Sequence, residues 1–334
     1  MIDRDRRRAE FLAGAGWGRA RLVPIPGDAS TRRYFRLSDR GRQAILMDGS
    51  PDKFDAKPFF KIARLLHRLD YSAPLILAAD PEGGFSVLED LGDDTFTRLL
   101  DAGHDEARLY SLATDLLADL HERFDPAAGH GVPDYSDEML LEEVDRFALW
   151  FLPAATGQET PAELRAEFQA LWREILPLAR AVPASLVLRD YFPGNLLLLD
   201  RPALAACGVI DFQDAVIGPI AYDLMSLLED ARRDVSAPIR EAMRQRYLDR
   251  RPGLDADAFD LAFAVLGAQR YTKIVGLFCR LDRRDGKPAY LAHLPRVWRQ
   301  LTASLAHPAL APIARWMDRH VPPALRGIPP RSTP

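Results

Sequence analysis

The chain is poor in lysine, nearly free of cysteine and without a long apolar run, and each shortage removes a class of protein. Its 334 residues hold two cysteines, Cys207 and Cys279, with no Cys-x-x-Cys or Cys/His spacing. That excludes a disulfide framework and a structural zinc site and predicts a reducing compartment. No stretch of about 18 uncharged apolar residues occurs, and the N-terminal "MIDRDRRRAEFLAGAGW" has charge but no apolar centre, so neither a membrane span nor a secretory leader is expected. A formal net charge of -4 gives no global field suited to nucleic acid. Together these shortages predict a cytoplasmic protein with no nucleic-acid, membrane or obligate protein partner. Lysine stands only at positions 53, 57, 61, 273 and 287, and arginine supplies the rest of the 44 basic residues.

What is present suits one large or two modest domains, with 48% hydrophobic and 28% charged residues. The first 90 residues or so read as a small sheet with one helix. "ARLVPIP", "RRYFRLS" and "QAILMD" have strand patterns, the last two joined by a turn at Asp39, Arg40 and Gly41. Phe59, Ile62, Ala63, Leu66 and Leu69 recur at helical spacing between positions 55 and 69, and "PLILAAD", a "PEGG" turn and "FSVLEDLG" form a second strand pair. From position 94 the pattern turns helical, as in "EARLYSLATDLLADLHERF" and "PAELRAEFQALWREILPLARAV", interrupted by short apolar strands in "SLVLRD", "NLLLLD" and "ACGVIDF". The expectation is an α+β, two-lobed chain: a β-rich lobe over 1–91 and a mostly helical lobe over 92–334.

The polar motifs lie on those short strands. "LRDYFPGN" carries Asp190 and, five residues on, Asn195; "GVIDFQD" carries Asp211 and Asp214. Phosphoryl transfer needs a hydroxyl held in line, a carboxylate to take its proton, and metal ions on the phosphate oxygens. Asp190 suits the base, while Asn195 and Asp211 offer one neutral and one charged hard oxygen for Mg²⁺. Pro193 and Gly194 suit the tight turn between them. In the first lobe "PGDASTRRYFRL" stands between two strands and is either an ordinary strand connection or a loop in which one glycine with the small Ala29 and Ser30 lets backbone N–H groups approach phosphate.

"LRDYFPGN" followed by "GVIDFQDAVIGPIAYDLMSLL" resembles the aminoglycoside phosphotransferase family, whose signature runs His-x-Asp-x-x-x-x-Asn, Ile-Asp-x-x-Asp, then Gly-x-x-x-x-Asp-Leu. Asp190, Asn195, Asp211, Asp214 and Asp223 fall on its acidic and amide positions, and the likeness extends over nearly the whole chain. It implies a two-lobed protein-kinase-like fold, a small antiparallel sheet with a helix and then a mostly helical lobe, using ATP with Mg²⁺. It further implies that the backbone of Glu89 and Leu91, in "VLEDLG", pairs with adenine, and that Asp223 braces the catalytic loop. Three departures stand out. Leu188 replaces the usual His, the strand "QAILMD" has Met47 where the phosphate lysine belongs, and the helix over 55–69 has no Glu to pair with such a lysine. Arg32, Arg33, Lys53, Lys57 and Lys61 are the available replacements, with Arg33 or Lys61 favoured.

Residues 268–299 are strongly basic. Arg270, Lys273 and Arg280 share one helical face, which is either a solvated stripe or a site for an anionic group on the acceptor. A polycationic aminoglycoside fits it poorly. The combined motifs are similar to the anomeric amino-sugar kinases of bacterial cell-wall recycling, a branch of the family that phosphorylates N-acetylmuramate and N-acetylglucosamine at C1. That likeness implies a small-molecule amino-sugar substrate whose lactyl carboxylate would meet Arg270, Lys273 or Arg280. Two alternatives stay open: a kinase of the same fold with an aminoglycoside or amino-alcohol acceptor, and a nucleotide-binding regulatory pseudokinase.

Overall fold

The computed structural model describes residues 2–26, 32–50 and 55–330. From the N-terminus the elements are α1 (Ile2–Gly14), β1 (Arg21–Ile25), β2 (Arg33–Asp39), β3 (Arg42–Asp48), α2 (Lys57–Arg68), β4 (Ile76–Asp80), β5 (Phe85–Leu88), α3 (Phe96–Asp101) and α4 (Glu106–Arg123). There follow α5 (Asp137–Arg146), which continues through a π-turn at Phe147–Phe151 into α6 (Leu152–Thr156), then α7 (Ala162–Ile175). Four short strands come next: β6 (Ala184–Val187), β7 (Leu196–Leu198), β8 (Cys207–Val209) and β9 (Val216–Pro219). The chain ends in α8 (Ala221–Leu228), α9 (Ala237–Asp249), α10 (Ala256–Arg283), α11 (Leu294–Ser304) and α12 (Ala311–His320). Among the described residues no helix is long and apolar enough to cross a membrane.

These elements condense into two compact units, the first made of residues 1–116 with 193–215, the second of 117–192 with 216–334. In the first, a five-stranded antiparallel sheet has the order β1-β2-β3-β5-β4. The two tight hairpins expected from the turn residues set its register, with Arg40 and Gly41 both at positive φ between β2 and β3. One sheet face carries Leu37, Leu46, Phe85 and Val87, packed with Leu12 and Trp17. The partner of that face is α1, which the charged N-terminal sequence did not announce. Phe11 and Leu12 of this helix join that cluster, and Phe11 stacks on Phe85 at 5.6 Å. A second tie is ionic. Asp48, at the end of β3 and with its side chain 1% exposed, receives Arg4 at 2.7 Å, Arg8 at 3.3 Å and Arg33 at 2.8 Å. A carboxylate so deeply buried is tolerable only when paired.

Segment 193–215 joins this unit because β7 and β8 form a hairpin sewn to its earlier parts. Val209 donates to Ser72 C=O at 2.8 Å and Leu198 to Asp94 C=O at 2.9 Å. Arg201 binds Glu89 at 2.5 Å and the Ser72 hydroxyl at 2.8 Å.

The second unit is built around α10, 28 residues long and buried along most of its length, with Gln269, Arg270 and Lys273 buried beside its apolar residues. Gly276 lets it press onto the junction of α5 with the π-turn, where a Cβ would stand 2.3 Å from the carbonyl of Arg146. Around it an aromatic cluster of Phe147, Phe151, Phe168 and Trp298 fills the core. Strands β6 and β9 pair antiparallel, in the register Ala184↔Pro219 to Val187↔Val216, and lead into the catalytic loop and α8 respectively.

Candidate active site

The metal-ligand candidates lie together in the first unit. Pairing of Leu196 with Val209 in the β7–β8 hairpin, extended by Ile210 N–H donating to Asn195 C=O at 3.0 Å, brings Asn195 and Asp211 out at the same end of that ladder. Asp211 adopts φ 62°, a left-handed conformation rare outside glycine and a turn that re-aims its side chain. Phe212 is fully buried and stacks on Phe59 of α2 at 5.1 Å, so the helix holds this turn through a ring contact. The Asp211 carboxylate, 40% exposed, already meets a cation: Arg32 Nη2 lies 2.9 Å away. Gln213 completes the group, accepting from Arg32 at 3.0 Å and donating to Asp211 and Asp214 at 3.1 Å. Two hard oxygen donors, one charged and drawing positive charge, fit Mg²⁺.

The other nucleotide candidates are distributed as follows. Ala29, Ser30 and Lys53 lie outside the described residues. Met47 is fully buried, so the expected lysine position is dry and apolar. Arg33 is held on Asp48, and Lys57 and Lys61 stand on α2, the first exposed and the second half-buried. Glu89 spends its N–H on Leu75 C=O at 2.8 Å and its side chain on Arg201. No hydrogen bond is made by Leu91 N–H among the described residues, and Gly92, at φ 85°, turns the chain just after it. Arg36 reaches from β2 to Asp90 at 2.6 Å and Asp93 at 2.8 Å, fixing this segment on the sheet. Those two carboxylates push the Arg36 guanidinium above its ordinary range.

The second unit carries the catalytic loop. Arg189 is left-handed, at φ 68°, and Asp190 N–H donates back to Leu188 C=O at 2.8 Å, so the loop turns sharply just before the proposed base. Asp223, fully buried at the start of α8, accepts from Leu188 N–H at 2.5 Å and Arg189 N–H at 2.9 Å. Burial pushes its carboxyl up to about 7, against the opposing pull of those two N–H groups and Arg270. Leu188 itself is 2% exposed, so hydrocarbon packing stands where the resemblance places a His. The Asp190 side chain is 42% exposed, open to a reacting group.

Beneath the loop sits a residue that sequence reasoning missed. Glu143 of α5, 3% exposed, takes Lys273 Nζ at 2.6 Å, Tyr135 OH at 2.7 Å, Gln269 Nε2 at 3.0 Å and the Arg189 guanidinium. Burial pushes its carboxyl up, but Lys273 and Arg189 outweigh that and hold it down at about 2. The only signal in the sequence was an acid on an otherwise apolar helix face. Arg270, 8% exposed, donates to Arg189 C=O at 3.1 Å and Tyr222 OH at 3.0 Å, and its Nη2 stands 4.0 Å from Asp190 Oδ1. Arg280 lies ten residues further along α10, about 15 Å away at 1.5 Å per residue. Burial and the charges of Arg146 and Arg284 lower its pKa. The structure thus places Arg270 beside Asp190, gives Lys273 to Glu143, and sets Arg280 apart from both.

Comparison with known proteins bears on the family and the fold. Residues 21–259 match the phosphotransferase enzyme family. An N-acetylmuramate/N-acetylglucosamine kinase of Caulobacter vibrioides is 39% identical, covering 96% of this chain and 97% of its own length. A protein of the same name from Pseudomonas aeruginosa is 36% identical over 90% of each chain. Among solved structures, the GDP complex of aminoglycoside 2'-phosphotransferase-IIIa superposes with a TM-score of 0.63 at 15% identity, covering 90% of this chain and 99% of its own. Spectinomycin phosphotransferase, in complex with ADP and spectinomycin, gives 0.59 at 13% identity, covering 95% and 98%. At such identities these two speak for the fold alone, which is α+β and protein-kinase-like. With the family match over residues 21–259, most of its length, the chain belongs to the phosphotransferase enzyme family.

Proposed function

We propose that the chain is an ATP-dependent kinase that phosphorylates the anomeric C1 hydroxyl of N-acetylmuramate and N-acetylglucosamine, as a step of peptidoglycan recycling in the cytoplasm. The observation that carries this reading is likeness over 87–96% of the chain, at 34–39% identity, to four kinases named for those two sugars. Asp190 is the general base. It takes the proton of the hemiacetal hydroxyl as that oxygen bonds to the γ-phosphorus and the bond to ADP breaks. Asn195 and Asp211 would hold Mg²⁺, which when bound neutralises phosphate charge. Asp223 fixes the loop by its two N–H contacts, and Glu143 fixes it through Arg189. The backbone of Glu89 and Leu91 is assigned to adenine, and that of Ala29 and Ser30 to phosphate. Of the basic residues on α10, Arg270 is assigned to the acceptor's carboxylate because it stands beside Asp190, whereas Lys273 acts on the loop through Glu143.

The test is ATP turnover with both sugars and with their 1-O-methyl glycosides. The free sugars are expected to react and the glycosides to be inert. Equal turnover of the glycosides removes C1 from the reading, and no turnover of any sugar leaves a nucleotide-binding module. Replacing Asp190 by Asn should cost about 10²–10⁴ in kcat with ATP binding retained. Arg270→Ala should lose N-acetylmuramate more than N-acetylglucosamine; equal loss would sink the carboxylate assignment.

A further inference from the structure

The buried Met47 leaves the sheet without its phosphate lysine, and α2 has no Glu for one to pair with. A second cation is already placed in the same unit. Arg32 lies just before β2, and adjacent residues of an extended segment point to opposite sides. Arg33 accordingly goes to Asp48 while Arg32 goes to Asp211 and Gln213, with its side chain 11% exposed. On the way its guanidinium lies 5.7 Å from the ring of Tyr34, which is the direct cross-strand partner of Met47. Arg32 therefore stands next to the position a strand lysine would have filled. It is already charge-paired with the carboxylate assigned to the metal, and it directly follows the segment assigned to the phosphates.

We infer that Arg32 is the cation that meets the phosphates of the nucleotide, in place of the missing strand lysine. The inference rests on the ATP-dependent reading above and adds to it the residue that holds the polyphosphate. In the nucleotide-free protein Arg32 neutralises Asp211. In the loaded protein, with that carboxylate given to a divalent ion, its planar fork turns to phosphate oxygens, for which guanidinium geometry is suited. Arginine also suits a site with no Glu partner, since it stays charged without one.

Calorimetric titration with adenosine, ADP and ATP in the presence of Mg²⁺ separates the possibilities, using wild type, Arg32→Ala and Arg32→Lys. Arg32→Ala is expected to bind adenosine as wild type does and to lose about ten- to a hundredfold in affinity for ADP and ATP, the range of a hydrogen bond to a charged group. Arg32→Lys, which keeps the charge but loses the fork, should fall between. If Arg32→Ala keeps the wild-type ratio of ATP to adenosine affinity, the inference is overturned while the kinase reading stands; a uniform loss for all three ligands overturns it in the same way. A wild-type protein that binds adenosine no worse than ATP overturns the kinase reading and this inference together.

Discussion

Replacing Glu143 by Gln keeps the shape and most of the hydrogen bonds of that side chain but removes its charge, leaving Lys273 and Arg189 buried without their counter-ion. Their side chains are 11% and 18% exposed, and that of Glu143 is 3%. Removing one partner of a buried ionic group costs about 3–5 kcal/mol. The pKa gives a second route to the same size. Depression from the usual 4.5 to about 2 is worth about 3 kcal/mol at roughly 1.4 kcal/mol per unit. A carboxyl whose pKa falls on folding adds stability that is complete above its unfolded value and is lost as pH drops through its folded value. Of that stabilisation, roughly 2 kcal/mol should disappear between pH 5 and pH 3 in wild type. The Gln variant should lack this component and start lower at pH 7. Urea unfolding followed by tryptophan fluorescence measures it, because Trp150, Trp172, Trp298 and Trp316 lie in the second unit and only Trp17 in the first. If Glu143→Gln matches wild type in both midpoint at pH 7 and acid dependence, the ionic cluster does not carry the loop and the reasoning is wrong.

Asp223→Asn should leave one of the two loop N–H groups unpaired, costing about 1–3 kcal/mol and lowering kcat more than it raises KM; unchanged kcat would mean that the loop is held by other contacts. Because the Asp223 carboxyl is raised to about 7, its contribution runs opposite to that of Glu143: stability is present below pH 4 and lost as pH rises through 7. In the Asn variant the stability between pH 5 and 8 should accordingly vary less, which a denaturation series at fixed ionic strength would reveal. Phe59→Ala removes the ring under Phe212, with an expected cost of about 3–5 kcal/mol to the first unit as read by the buried Trp17, together with weaker nucleotide binding. Loss of stability with unaltered nucleotide affinity would show that the stack does not seat Asp211.

Local pattern carried the sheet. Turn residues and alternation set β1, β2, β3, β4 and β5 in order, and the apolar spacing between 55 and 69 became α2 (Lys57–Arg68). It did not carry α1, whose charged face hides two apolar anchors that matter only once Phe85 is in place. The site was legible where its chemistry lies close together in sequence, as in "RDYFPGN" and "IDFQD". It was illegible where the partner comes from far away. Glu143 meets Lys273 across 130 positions and Arg189 across 46, and no local rule ties them. The choice between Arg32 and Arg33 shows the same limit at the finest grain. The two are neighbours of one type, and only strand alternation, read against Asp48 and Asp211, sends them to different tasks.

The close approach of Gly276 to Arg146 bears on attempts to retarget this enzyme to other sugars. Diversity at the basic end of α10 is the obvious library, but the helix can tolerate it only while position 276 stays bare. Any side chain there would lever α10 off α5 and separate Gln269 and Lys273 from Glu143, so a design that varies Arg270 should leave that glycine untouched.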